Sequence, residues 1–204
     1  MKPSIFLLAI AIACAACNNK TPDTTVTDTS AATTKDTASS TTYIPVTSFL
    51  KGQLLILDSL PVTVLQTITT NNHTDSVWIK KEQVHTILAP FINTIIDEKL
   101  AAFFKQTKFN DQTIDAITYT HDATAALPDS VSIKHWDIYV NPETGKIKKV
   151  YIVKQLQQNG SHYTQQLTWQ TDHWARMVTI LHNPGGKSQL QSDTKLVWNF
   201  NDTP

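Results

Sequence analysis

His135 and Asp137 flank Trp136, so an imidazole and a carboxylate stand two residues apart. On a β-strand that spacing puts both on one face, where they could supply two ligands of a metal site or an acid–base pair. Ile133 and Tyr139 would share the face, and neither HExxH nor HxH follows to complete a ligand set. The plainer reading is a polar patch on a sheet. His121 and Asp122, like Asp172 and His173, are adjacent in sequence. Neighbours in a strand or turn usually point apart, and an aspartate at a hairpin tip is accounted for by its backbone hydrogen bonds. GxSxG, a P-loop and GxGxxG are absent from a chain with 5 glycines. No catalytic residue, metal or cofactor is expected, and a hydrolase near His135 and Asp137 is kept only as a second alternative.

The other residues that stand out are tryptophans. Trp169, Trp174 and Trp198 fall in strands expected to be neighbours. They could stack across hairpins or line a concave apolar pocket. Core packing needs no ligand and is the simpler account. His85, beside Val84 and Leu88, reads as a histidine at the boundary of an apolar helix face.

Composition narrows the partners. The 204 residues carry 17 Lys and Arg against 17 Asp and Glu, a formal net charge of +0. A nucleic-acid binder needs a basic face to neutralise phosphates, so no nucleic-acid partner is expected. Arg176 is the sole arginine, which argues against bidentate phosphate recognition by an arginine cluster. The length suits one globular domain plus some non-globular sequence.

Both cysteines, Cys14 and Cys17, sit near the N-terminus. Met1 and Lys2 precede an apolar run, IFLLAIAIACAA, over residues 5–16. Twelve residues make a helix of about 18 Å, short of the roughly 30 Å bilayer core, so this is a signal segment and not a span. Ala15 and Ala16 precede Cys17, and Asn18, Asn19 and Lys20 turn abruptly polar. The pattern resembles the lipobox of bacterial lipoproteins, except that Cys14 stands where that family usually has Leu. The resemblance implies cleavage after residue 16 and acylation of Cys17; a competing site at Cys14 also reads acceptably. Two or three acyl chains on one residue would make the membrane the first partner. Removal of residues 1–16 would leave no free thiol for nucleophilic or metal chemistry. Together with the Thr- and Ser-rich stretch that follows, the N-terminus resembles lipoproteins of the Bacteroidota. In that class acidic residues after the cysteine accompany surface display. Asn18, Asn19 and Lys20 lack them, which points to the periplasmic side of the outer membrane.

Residues 17–42 read as a tether. About half are Thr or Ser and none is aromatic, so they cannot bury enough apolar area to offset the entropy of ordering. Such a leash would hold its domain roughly 25–30 Å from the membrane on average.

From residue 43 the composition becomes that of a folded domain running to 204. Phe49, Leu50, Leu54, Ile56 and Leu57 recur at near-helical spacing, and β-branched residues 62–70 predict a strand. Residues 71–75 read as a loop, with Asp75 or Ser76 as the cap of a following helix. Residues 79–106 carry the strongest helical period, interrupted by Pro90. From residue 113 the period turns to two. It predicts strands at 113–120, 131–140, 147–156, 162–170, 174–181 and 195–200. Asn159 and Gly160 fit a type I′ hairpin, and Asn141 to Gly145 fits a type I turn closed by a glycine. In the last four strands Val150, Ile152, Tyr163, Leu167, Trp169, Trp174, Val178, Ile180, Leu196 and Trp198 are assigned to the inner face. Lys148, Lys154 and Lys195 are assigned to the outer one. The expected fold class is α+β, with N-terminal helices packed on one face of a curved antiparallel meander of about six or seven strands.

The leading functional expectation is a non-enzymatic envelope module that binds another protein or the wall. A helix-covered half-barrel would resemble the periplasmic lipoprotein carriers, which implies an apolar ligand as the alternative.

Overall fold

A computed structural model of the protein describes residues 43–111 and 114–201. The signal at 1–16, both cysteines and the tether at 17–42 lie outside the described residues.

Apolar residues at i, i+4, i+8 and i+11 wind the chain into α1 (Val46–Ser59), burying Val46, Leu50, Leu54 and Leu57. A hairpin of β1 (Val64–Thr70) and β2 (His73–Ile79) follows, turned by Asn71 and Asn72. Both asparagines take positive φ, 51° and 61°, as a two-residue type I′ connection requires. Next come α2 (Lys81–Ile92) and the short α3 (Glu98–Ala101). The remaining strands are β3 (Phe104–Asp111), β4 (Ala116–Ala123), β5 (Ile133–Val140), β6 (Ile147–Gln158), β7 (Ser161–Gln170), β8 (Trp174–His182) and β9 (Ser188–Val197).

All nine strands form one open antiparallel sheet in the order β2-β1-β9-β8-β7-β6-β5-β4-β3. From β3 to β9 it is an unbroken meander, and the β1–β2 hairpin joins its far edge by pairing β1 with β9. The class is α+β. Its strand number corrects the expected six or seven, and both additions have physical causes. The polar segment HTDSVWI resembles a loop because β2 is an edge strand exposed along nearly its whole length, with only Ile79 buried. Asp75 and Ser76 therefore lie in β2 and cap nothing. The predicted 79–106 helix likewise breaks after α2, gains one turn as α3, and gives way to β3, where eight cross-strand pairs with β4 override the local period.

One apolar cluster joins Val46, Leu50 and Leu54 of α1 and Val84, Leu88 and Phe91 of α2 with sheet residues including Trp136, Ile152 and Trp169. Phe91 meets Trp169 edge-on, with ring centroids 5.5 Å apart. On β8 the core residue is Ala175, paired with Trp169 on one side and Leu196 on the other. Trp174, Val178 and Ile180 therefore belong to the opposite face, one residue out of phase with the expectation. Lys154 is corrected the other way. It shares its parity with Val150 and Ile152 and is buried beside them.

Candidate functional site

His135 lies on β5 at a register irregularity between Ile133 and His135, a place where a strand can re-aim a side chain. Its cross-strand partner on β4 is Asp122, and Asp137 follows two residues later on the same face. His135 Nδ1 is 2.7 Å from Asp122 Oδ1, and Nε2 is 3.0 Å from Asp137 Oδ2. A carboxylate accepts and does not donate, so an imidazole that donates from both nitrogens is an imidazolium. Burial opposes that charge, but hydrogen bonds to Asp137 and Asp122, aided by their negative charges, outweigh it and raise the pKa of His135. On the far side of Asp137, Thr120 Oγ1 donates to Oδ1 at 2.7 Å. Tyr151, paired with Asp137 across β6, presents its ring 6.2 Å from the imidazole. Its phenol pKa is raised by burial and then by the charge of Asp137.

The arrangement is a chain in the order Thr120, Asp137, His135, Asp122. In a hydrolytic triad the imidazole stands between hydroxyl and carboxylate, so that it can take the hydroxyl proton. Here a carboxylate stands between them, and both ring nitrogens are spent on carboxylates. The group fixes a charge on the sheet and offers no free nitrogen as a base. Among the described residues, no set of three or more His, Cys, Asp or Glu side chains is arranged to hold a metal ion.

The sequence pattern picks out His135 and Asp137 and misses Asp122, Thr120 and Tyr151 as their partners. Alternation puts Thr120 and Asp122 on one face of β4. The long connection from β4 to β5 leaves their register against β5 open until the strands pair. The paired His121 and Asp122 do point apart: Asp122 faces His135, and His121 turns into the core. Asp172 occupies the β7–β8 turn at φ 61°. His85 binds the Asp58 carboxylate at the end of α1, with Nε2 2.8 Å from Oδ1.

The structure brings Trp169 and Trp198 together, with centroids 5.3 Å apart, and both are buried. Trp174 lies on the other face, where the Lys195 ammonium sits 4.8 Å over its ring. The three therefore do not line one pocket.

Two of the cavities among the described residues border core side chains. The first, about 260 Å³, lies between Tyr43, Ile44, Ala101, Phe104, His121 and Trp136. His121 stacks on Trp136 with centroids 4.5 Å apart and planes 13° apart, and the Gln106 amide donates to its Nε2 at 2.9 Å. Burial lowers the pKa of His121, against smaller raising effects of the Trp136 and Tyr119 backbone and of Asp137. The second cavity, about 380 Å³, is bounded by the chain from α2 to α3, the entry to β5, and Lys154. Lys154 Nζ donates to the carbonyl of Pro90 at 2.7 Å, capping the last turn of α2, where carbonyls lack helical partners. Its pKa is lowered to about 8 by burial. No protein-family model, curated protein or solved structure matches the chain.

Proposed function

We propose that the chain is an outer-membrane lipoprotein, acylated at Cys17 and facing the periplasm, whose domain at the end of the 17–42 tether is a non-enzymatic binding module for an envelope protein. The signal-like run and the cysteine after Ala15 and Ala16 support the anchor. The placing of both His135 ring nitrogens against Asp122 and Asp137 supports the non-enzymatic part, because it occupies the imidazole of the pair on which the hydrolase alternative rested.

The second reading, a carrier of an apolar ligand, draws on the 260 Å³ cavity and its Ile44, Phe104 and Trp136 walls. That volume lies just under the roughly 300 Å³ at which ligand sites begin. In both readings α1 and α2 are the cover of the sheet's apolar face; the cluster that Leu50 and Leu54 share with Trp169 supports this for α1, and the Phe91–Trp169 and Lys154–Pro90 contacts support it for α2.

The test is affinity capture of the full chain from native membranes, followed by mass spectrometry of proteins and lipids. A stoichiometric protein partner sustains the binding module. One lipid per chain replaces it with the carrier. Intact mass of the natural product decides the anchor: an acylated N-terminal cysteine upholds it, and an unmodified one overturns it.

A further inference from the structure

Lys154 poses a problem that its neighbours do not solve. It lies on the apolar face of β6 with 8% of its surface exposed. An ammonium group brings three donors. Among the described residues, one hydrogen bond is found for it, to the Pro90 carbonyl, and no ion pair. That carbonyl already accepts from Thr94 Oγ1 at 2.6 Å, so a second donor is not needed to satisfy it. Burying a charge without an opposite charge is costly, and proteins that do so usually pair the group or use it.

Lys154 lines an open cleft of about 380 Å³, a volume within the usual range of small-molecule sites. Asn93, Thr94, Ser130 and Ser132 add neutral polar groups around it, with aliphatic side chains between them. Asp97 closes another part of the wall, its Oδ1 accepting from the Leu100 amide. We propose that this cavity is a binding site for a small organic monocarboxylate, held by the Lys154 ammonium through its two remaining N–H groups. One lysine and one aspartate in the lining favour a single negative charge. A phosphate dianion would meet the Asp97 carboxylate with no second cation to offset it. The serines, threonine and asparagine would hydrogen-bond the carboxylate's second oxygen or a polar substituent, and the aliphatic walls would take a short carbon chain.

The site is independent of the lipid anchor and of any envelope partner, and stands or falls without them. Burial lowers the pKa of Lys154 to about 8, and a bound carboxylate would push it back toward the ordinary lysine value.

The test is a pH titration of the full chain in detergent micelles, with lysine ε-13C labelling. It is run in chloride, in propionate and in inorganic phosphate at equal ionic strength. The Lys154 signal is identified by its loss in Lys154→Met. The expected result is a midpoint far below those of the other lysines in chloride, raised by half a unit or more in propionate and less in phosphate. A Ser132→Ala chain should need several-fold more propionate for the same shift. Independently of any variant, the Ser132 backbone amide should move on adding propionate at pH 7. An identical Lys154 midpoint in propionate and chloride overturns the site. A shift in phosphate as large as that in propionate overturns its selectivity for carboxylates. An unmoved Ser132 amide overturns its location.

Discussion

His121 and His135 sit on the same two strands, and their cross-strand pairs are adjacent: His121 opposite Trp136, and Asp122 opposite His135. One residue of offset separates two environments. His121 enters the apolar side, where it is 4% exposed, stacks on Trp136 and is driven toward the neutral form by burial. His135 emerges on the other side between two carboxylates and is driven toward the charged form. The two histidines are thus shifted in opposite directions. What separates them is the face of the sheet, since a period of two sends consecutive residues to opposite dielectrics. On β4 and β5 the comparison separates two roles: the outer face holds the His135 carboxylate pair, and the inner face packs His121 against Trp136.

The sharpest way to break the comparison is to remove the inner face's support. Trp136→Ala deletes the ring on which both His121 and Phe104 rest, and should cost about 3–5 kcal/mol in urea unfolding. A loss under about 1 kcal/mol would mean that this face is not tightly packed. On the outer face His135→Gln removes two charge-assisted hydrogen bonds and should cost about 1–2 kcal/mol at pH 6. The cost has a sign in pH. A folded pKa above the ordinary 6.5 gives stability that is complete below 6.5 and lost as pH rises through the folded value. The wild-type excess over His135→Gln should therefore shrink on the alkaline side, and an excess that grows with pH would refute the bracketed imidazolium.

His121 should behave in the opposite sense and more weakly. Its folded pKa is depressed, so the unfolded chain takes up a proton first and stability falls as pH drops below 6.5. His121→Phe keeps a stacking ring and should flatten that acid limb in the same unfolding series; an unchanged limb would assign it elsewhere. The smallest effect belongs to the exposed pair of Arg176 with Asp193 on the outer face. Arg176→Lys loses the two-point contact and should change stability by about 1 kcal/mol or less. A larger loss would show that outer-face charges do more than decorate the sheet.

Alternation and turn chemistry made most of the meander legible. Asn159 and Gly160 adopt positive φ, 50° and 76°, in the β6–β7 hairpin, and Gly145 does so after Asn141, whose Oδ1 accepts from the Glu143 and Thr144 amides. These are local rules, and they hold where neighbours in sequence are neighbours in space. The misreadings occur where pairing is remote or composition misleads. β2 is polar because it is an edge, and β3 carries apolar residues that also fit a helix until β4 pairs with them. Trp174 looks like a core residue because it is large and apolar, yet the β7–β8 register gives the core position to Ala175. Lys154 looks like a surface residue because it is charged, although its parity with Val150 and Ile152 already assigns it inward. In the candidate site, spacing within β5 reveals His135 and Asp137. Asp122 and Thr120 become their partners only through the β4–β5 register, which a nine-residue connection does not encode locally.

The charge of the His135 imidazole is read directly by long-range 1H–15N correlation of the histidine rings. At pH 6.5 it should find His135 mostly protonated on both nitrogens, and His121 neutral with its proton on Nδ1. A His135 ring that is neutral at that pH, with one nitrogen unprotonated, would contradict the account and reopen acid–base chemistry on the outer face.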